Sequence, residues 1–233
     1  MNQIVLSCEH AGNRVPAKYR HLFAQIPSIL NSHRGYDIGI WRVAGRLARK
    51  LHQPLFACYT TRLLIDPNRS LGHPDLFSEF SKALTCSDKD RLIRCFHQRY
   101  RESVTQHIRQ KIQENRRVIH FSIHSFTPML QGQIRLADIS ILYDPRRSRE
   151  KTLAKALQDT LRERTGLRIR RNYPYRGNAD GFITALRRKY DACNYLGFEV
   201  EINQALLMKY PSKGSQLADS IYLSLNRILN PAH

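Results

Sequence analysis

The segment Val118-Ile119-His120-Phe121-Ser122-Ile123-His124-Ser125-Phe126 decides the fold. Val118 to Ile123 is short, apolar and β-branched, which predicts a buried central strand that delivers His124, Ser125 and Phe126 at its carboxyl end. Working outward, Gln3 to Cys8 predicts a first buried strand that ends in Glu9, His10, Ala11, Gly12 and Asn13. Pro54 to Tyr59 predicts a second, with Leu63, Leu64 and Ile65 extending it up to the turn residues Asp66, Pro67, Asn68 and Arg69. Further strands are expected at Ile139 to Tyr143, Leu167 to Arg171 and Gly197 to Ile202. Between them lie helical periodicities from Asp37 (as N-cap) to Leu51, Asp88 to Asn115, Ser148 to Arg164, Gly181 to Tyr190 and Ser215 to Leu229. Strands alternating with helices, and no repeat or composition break, predict an α/β fold. The expectation is one three-layer domain over residues 1–233, its mainly parallel, mixed sheet flanked by helices.

The composition agrees with a folded globule. The chain has 233 residues, 42% hydrophobic and 24% charged, which excludes disordered, collagen-like and low-complexity proteins. No stretch reaches the roughly 18 to 20 apolar residues of a membrane span, and Met1 to Arg14 has no basic lead or small-residue cleavage site. A cytoplasmic location without membrane association is therefore expected. Five cysteines (Cys8, Cys58, Cys86, Cys95, Cys193) lack any Cys-x-x-Cys spacing and are expected to be reduced and mostly buried. Thirty-eight Lys and Arg against 19 Asp and Glu give a net charge of +19, a field that attracts anions of any kind.

In open α/β sheets ligands bind beyond the carboxyl ends of the strands. There the sequence gathers Glu9 and His10, then Asp66 to Arg69, then His124, with Glu199 and Glu201 inside the last predicted strand. Two histidines, several carboxylates and an Asn-Arg pair are what a metal-assisted hydrolase with an anion pocket requires. Each has a plainer reading: His10 or His124 as a hydrogen-bonded loop residue, Asp66-Pro67-Asn68 as an ordinary turn, Glu199 and Glu201 as one exposed face of an edge strand. The remaining histidines fall on predicted helices, loops, the tail or, for His120, inside a strand.

Six blocks carry a resemblance in order along nearly the whole chain: Cys-Glu-His-Ala-Gly-Asn-Arg-Val-Pro (8–16), His-Arg-Gly-Tyr-Asp-Ile-Gly (33–39), Thr-Arg-Leu-Leu-Ile-Asp-Pro-Asn-Arg (61–69), Ile-His-Ser-Phe-Thr-Pro (123–128), Arg-Asn-Tyr-Pro-Tyr (171–175) with Ala-Asp-Gly (179–181), and Glu-Val-Glu-Ile-Asn-Gln (199–204). Together they resemble the N-formylglutamate amidohydrolase family, which is similar in fold and site to zinc carboxypeptidases and aspartoacylase. The resemblance implies a zinc-carboxypeptidase-like fold, one zinc ion, and hydrolysis of the amide of a small anionic N-acyl amino acid bearing a free carboxylate. By position it implies His10 and His124 as zinc ligands, Glu201 as general base and acid, Arg62 as the oxyanion partner, and Asn68 and Arg69 as a carboxylate clamp. Tyr175 joins them as a substrate contact.

One departure stands out: carboxypeptidase-type sites use His-x-x-Glu, and three residues after His10 stands Asn13. Asp37 is the expected third ligand and Glu9 the alternative. Rival readings are a basic nucleic-acid-binding module or metal-dependent nuclease, suggested by the Arg-rich stretches 146–149, 168–171 and 187–189, and a non-catalytic relative of the family. No helix-turn-helix, RNP-like or zinc-finger spacing supports the nucleic-acid reading, so the amidohydrolase is preferred.

Overall fold

The structure, a computed structural model, describes residues 2–209 and 211–229. Six strands form one sheet: β1 (Asn2–Cys8), β2 (Leu55–Ala57), β3 (Arg117–Phe126), β6 (Ile139–Leu142), β7 (Ile169–Arg171) and β8 (Tyr195–Asn203). Their order is β2-β1-β3-β8-β6-β7, with β2, β1, β3 and β8 mutually parallel and β6 antiparallel to β8. A separate two-stranded hairpin, β4 (Met129–Leu130) with β5 (Gln133–Ile134), follows β3.

Helices cover both faces. On one, α1 (Ile40–Leu51), α4 (Ser148–Thr165) and α7 (Pro211–Leu229) pack Val43, Leu47, Leu157, Leu161 and Ile221 against Leu6, Phe121, Ile123, Phe198 and Val200 of the sheet. On the other, α3 (Arg99–Gln113) and α5 (Phe182–Lys189) bring Val104, Ile108, Phe182 and Leu186 onto Val5, Val118 and Tyr195. Because side chains alternate along a strand, the even positions of β3 and odd positions of β8 share this second face. Toward the carboxyl ends of the strands its apolar cover gives way to Ser122, His124, Glu199 and Glu201. A third apolar cluster lies under the long loops and includes Tyr19, Phe23, Leu76 and Leu92.

Several local expectations change. Leu63, Leu64 and Ile65 do not extend β2; they lie in a turn and the irregular segment after it and fill the third cluster, so an apolar run here marks burial without strand pairing. The central strand runs on through Phe126, so His124 lies inside β3 rather than after it. Asp37 is not a helix cap. That place belongs to Gly39, at φ 79°, a left-handed conformation glycine adopts without strain, and a side-chain carbon there would meet Leu207 Cβ at 2.9 Å. The predicted 88–115 helix is three pieces: α2 (Cys86–Leu92), a wider π turn over Ile93–Gln98, and α3. Its N-cap is Thr85, whose side chain accepts from the Asp88 amide. The sequence reading did not anticipate a short helix, α6 (Gln204–Lys209), after β8. Cys8 and Cys58 are buried, but Cys86, Cys95 and Cys193 are exposed, contrary to the expectation of mostly buried thiols. Among the described residues no helix is long and apolar enough to cross a membrane.

Candidate metal centre and substrate pocket

Register does much of the assembly. β3 pairs with β8 so that Ser122 lies opposite Glu199 and His124 opposite Glu201, both pairs on the α3 and α5 face. Parallel pairing of β1 with β3 through Ser7 and Ser122 carries Glu9 and His10 to the same edge. Asp37 arrives from the loop before α1, where its amide donates to the His10 carbonyl at 3.0 Å.

These three segments bring His10, Asp37 and His124 to one buried point, with one donor atom from each within 4.8 Å of the others. The imidazole rings are 5.1 Å apart, centroid to centroid. Asp37 Oδ2 lies 2.9 Å from His124 Nδ1 and 3.7 Å from His10 Nδ1. It also accepts from the Ser125 amide at 3.0 Å, while Oδ1 pairs with the Arg62 guanidinium. His10 Nδ1 is a buried nitrogen with no hydrogen-bond partner among the described residues. Two imidazole nitrogens and a carboxylate suit a divalent zinc ion, and an orphaned nitrogen facing that carboxylate fits a metal-ligand role.

Behind each imidazole sits a second carboxylate. His10 Nε2 is 2.8 Å from Asp66 Oδ1, and His124 Nε2 is 3.0 Å from Glu9 Oε2. Such partners fix the ring orientation and direct the other nitrogen at the metal position. Glu9, the alternative third ligand, is thus occupied behind His124; it also accepts from Tyr100 Oη at 2.9 Å and from the Ser122 hydroxyl. Asn13 ties down a neighbouring loop by donating to the Leu30 carbonyl at 2.9 Å.

The electrostatics follow from this geometry. Burial alone would raise the Asp66 carboxyl, but His10, Arg62 and the Asn68 amide hold it well below the usual range. Asp37 is likewise kept low against burial by Arg62, His10 and His124. Burial would also favour a neutral His124, yet Asp37 and Glu9 hold its proton tightly and raise it well above the ordinary imidazole value. Glu201 behaves oppositely. Burial, reinforced by Asp37 and Glu199 and opposed by His124 and Arg62, pushes its carboxyl up to about 7, and its Oε2 is buried with no hydrogen-bond partner among the described residues. A carboxylate with that affinity can take and return a proton near neutral pH. Glu199, one register step deeper, is raised chiefly by burial.

The 66–69 turn belongs to the site. The Asn68 amide donates to Asp66 Oδ1 at 2.9 Å, so one carboxylate orients His10 and shapes the turn. Asn68 Oδ1 accepts from the Phe182 amide at 2.8 Å, which leaves its amide nitrogen free to donate elsewhere. The Arg69 carbonyl is held by His97 Nε2 at 2.8 Å and Arg101 at 3.0 Å, and its guanidinium donates to the Asp180 carbonyl at 3.3 Å. Arg62 has a buried Nε with no acceptor among the described residues. Tyr175 is 42% exposed at the mouth; burial, Glu201 and Asp37 raise its hydroxyl pKa, which puts it within the field of the buried site.

The structure therefore gathers His10, Asp37, His124, Glu201 and Arg62, with Asn68 and Arg69 on an adjoining turn and Tyr175 at the rim. Sequence reasoning placed Asp66 in the cluster without a role, and missed Ser122 and Tyr100. Ser122 was legible in principle, sharing the strand face of His124 two residues away.

Comparison with known proteins identifies the family and the fold. A model of the N-formylglutamate amidohydrolase family matches residues 2–208. A gene product of Agrobacterium tumefaciens of known crystal structure is similar at a TM-score of 0.83 and 26% identity, covering 98% of this chain and 92% of that one. An N-formylglutamate amidohydrolase from Ralstonia eutropha shares the fold at a TM-score of 0.64 and 20% identity, covering 97% of this chain and 92% of that one. A CwlD amidase from Clostridioides difficile, solved with the GerS lipoprotein, shares it more distantly, at 0.52 and 13%, with 99% and 100% covered. No protein of curated function matches the sequence.

Proposed function

Because this chain belongs to the N-formylglutamate amidohydrolase family, we propose that it is a zinc-dependent hydrolase cleaving the amide of an N-acyl amino acid that bears a free carboxylate. The observation that carries the reading is the convergence of His10, Asp37 and His124 beside the partnerless Oε2 of Glu201. His10 and His124 would hold the metal through Nδ1 and Asp37 through its carboxylate, with Asp66 and Glu9 as the groups that fix the rings. A zinc ion there supplies a lowered water pKa, to about 7, and polarisation of the amide carbonyl.

The protein's own groups supply the rest. Glu201 accepts the proton of the attacking water and returns it to the leaving amine, a shuttle suited to a carboxyl raised to about 7. Arg62, anchored to Asp37, offers its free Nε–H to the carbonyl oxygen as charge develops. Asn68 and Arg69 bind the substrate carboxylate; a guanidinium fork meets a carboxylate in two parallel hydrogen bonds. Tyr175 bounds the pocket on its open side. The +19 charge favours arrival of an anion.

The direct test is hydrolysis of a panel of N-formyl and N-acetyl amino acids by the zinc-loaded protein, with the matching neutral amides alongside. Turnover restricted to substrates with a free carboxylate is the expected result. Absence of turnover on every member, with zinc bound, would refute the reading.

A further inference from the structure

A cavity of about 710 Å³ opens between α3 and α5, and none of the metal-centre or clamp residues lines it. Its size is that of a small-molecule pocket, roughly 300 to 1,000 Å³. Apolar Leu71, Phe182 and Leu186 share the lining with three cations, Arg101, Arg109 and Lys189, and the one carboxylate among the described lining residues is Glu102. Apolar surface beside an excess of positive charge suits an organic anion better than a bare inorganic one.

Arg101 is the cation with unused capacity. Its guanidinium lies over the Phe182 ring, 4.5 Å from the centroid, and a single nitrogen, Nη1, donates to the Pro67 carbonyl at 3.2 Å and the Arg69 carbonyl at 3.0 Å. Nε and Nη2 donate to no described residue, and no described carboxylate lies within ion-pair distance. Burial lowers its pKa from the ordinary guanidinium value, as expected of a cation partly withdrawn from water without a counter-charge. The unused Nε–Nη2 edge is the one that elsewhere in this chain grips a carboxylate: Arg46 meets the two oxygens of Asp219 through it at 2.8 and 2.7 Å. The same lining residues form the back of the clamp turn. His97 donates from Nε2 to the Arg69 carbonyl at 2.8 Å, and the Phe182 amide donates to Asn68 Oδ1 at 2.8 Å. Burial keeps the His97 ring neutral, so its Nδ1 carries the lone pair, and that buried atom has no partner among the described residues.

We propose that the α3–α5 cavity is a second ligand site, separate from the metal centre, which takes a small carboxylate with a flat apolar body and steadies the Asn68–Arg69 turn from behind. The carboxylate meets the Nε–Nη2 edge of Arg101 in two hydrogen bonds, Arg109 and Lys189 add charge, and the apolar body covers Leu71 and Leu186. Nη1 keeps both carbonyls of the turn while the other edge holds the ligand. Both sets of bonds therefore coexist, and the coupling to the turn is positive: a filled cavity immobilises the guanidinium that holds it. The effect on substrate rests on the amidohydrolase reading; binding in the cavity does not.

The test is calorimetric titration at fixed ionic strength with indole-3-acetate, its isosteric amide indole-3-acetamide, and acetate. The charged, flat probe should bind about tenfold or more tighter than either of the others, since only it offers both the carboxylate and the apolar body. Arg101→Gln should erase the preference for acid over amide. Ala185→Phe fills the cavity from α5 and removes none of the clamp's hydrogen bonds, so it should abolish binding while thermal unfolding stays cooperative. The exposed pair Arg109→Gln with Lys189→Gln should weaken binding severalfold without touching the core. Saturating indole-3-acetate should lower KM for a hydrolysed N-acyl amino acid by about fivefold with kcat little changed, an effect absent from Ala185→Phe. Equal binding of acid and amide by the wild type, acid binding that survives in both Ala185→Phe and Arg101→Gln, or an unchanged or raised KM at saturation would overturn the proposal. Cavity-dependent binding of the acid with no turnover of any N-acyl amino acid would support the site and instead refute the amidohydrolase.

Discussion

Replacing Asp66 by Asn tests the idea that buried carboxylates aim the two imidazoles. The substitution keeps size and shape but removes a charge that is fully present at neutral pH, since His10 and Arg62 hold the Asp66 carboxyl well below its ordinary range. What is lost is a charge-assisted contact of 2.8 Å between Oδ1 and His10 Nε2, in a site where both side chains are buried. Hydrogen bonds to charged groups contribute about 1.5 to 3 kcal/mol, and losing such a partner behind a metal-bound histidine weakens affinity by about tenfold to a hundredfold. Zinc affinity should fall by that factor, read by competition against a chromophoric chelator at constant pH. Glu9→Gln should act similarly through His124 Nε2, 3.0 Å away. Asp66→Asn should also raise KM, because the same oxygen accepts the Asn68 amide and sets the turn that presents Asn68 and Arg69. Unchanged zinc affinity in both variants would refute this account of ring orientation.

Other expectations follow from the same geometry. Glu201→Gln should keep its zinc and lose activity by roughly a hundredfold or more, whereas Glu199→Gln should be milder; the reverse pattern in kinetics and metal analysis would move the base to Glu199. Arg69→Ala should weaken turnover of a carboxylate substrate far more than that of a neutral amide, and equal losses in kcat/KM would eliminate the clamp. His120 is buried between Ser7 and Tyr195, and burial drives its pKa down to about 4. The unfolded chain, with a histidine pKa near 6.5, takes up a proton that the folded chain refuses, so stability falls as pH drops from about 6.5 to 4. Urea unfolding across that window should show a slope steeper by about 1.4 kcal/mol per pH unit in the wild type than in His120→Gln, and parallel slopes would contradict the assignment.

The strands were legible because β3 and β8 are buried over nearly their whole length, and β1 from Val5 to Cys8, and read as apolar runs bounded by polar residues. The site was legible for a related reason, since period-two alternation and parallel pairing bring the ends of those strands to one edge. What escaped depended on tertiary context. Leu63 to Ile65 are as apolar as a strand, yet their burial comes from the Tyr19 and Leu92 cluster. Asp37 precedes a helix and has the chemistry of a cap; only the arrival of His10, His124 and Arg62 around it shows why the carboxylate turns inward and leaves the cap to Gly39. Cys86 and Cys95 share short helical segments with buried residues but sit on their wet faces.

The central claim is that His10, Asp37 and His124 together hold one catalytic zinc ion, and zinc stoichiometry in single-ligand variants tests it most directly. After loading and removal of excess metal, elemental analysis should find close to one zinc per chain in the wild type. His10→Ala, Asp37→Ala and His124→Ala should each fall to near zero while folding cooperatively by calorimetry. A wild type that takes up no zinc, or an Asp37→Ala variant that keeps a full equivalent at wild-type affinity, would contradict the account.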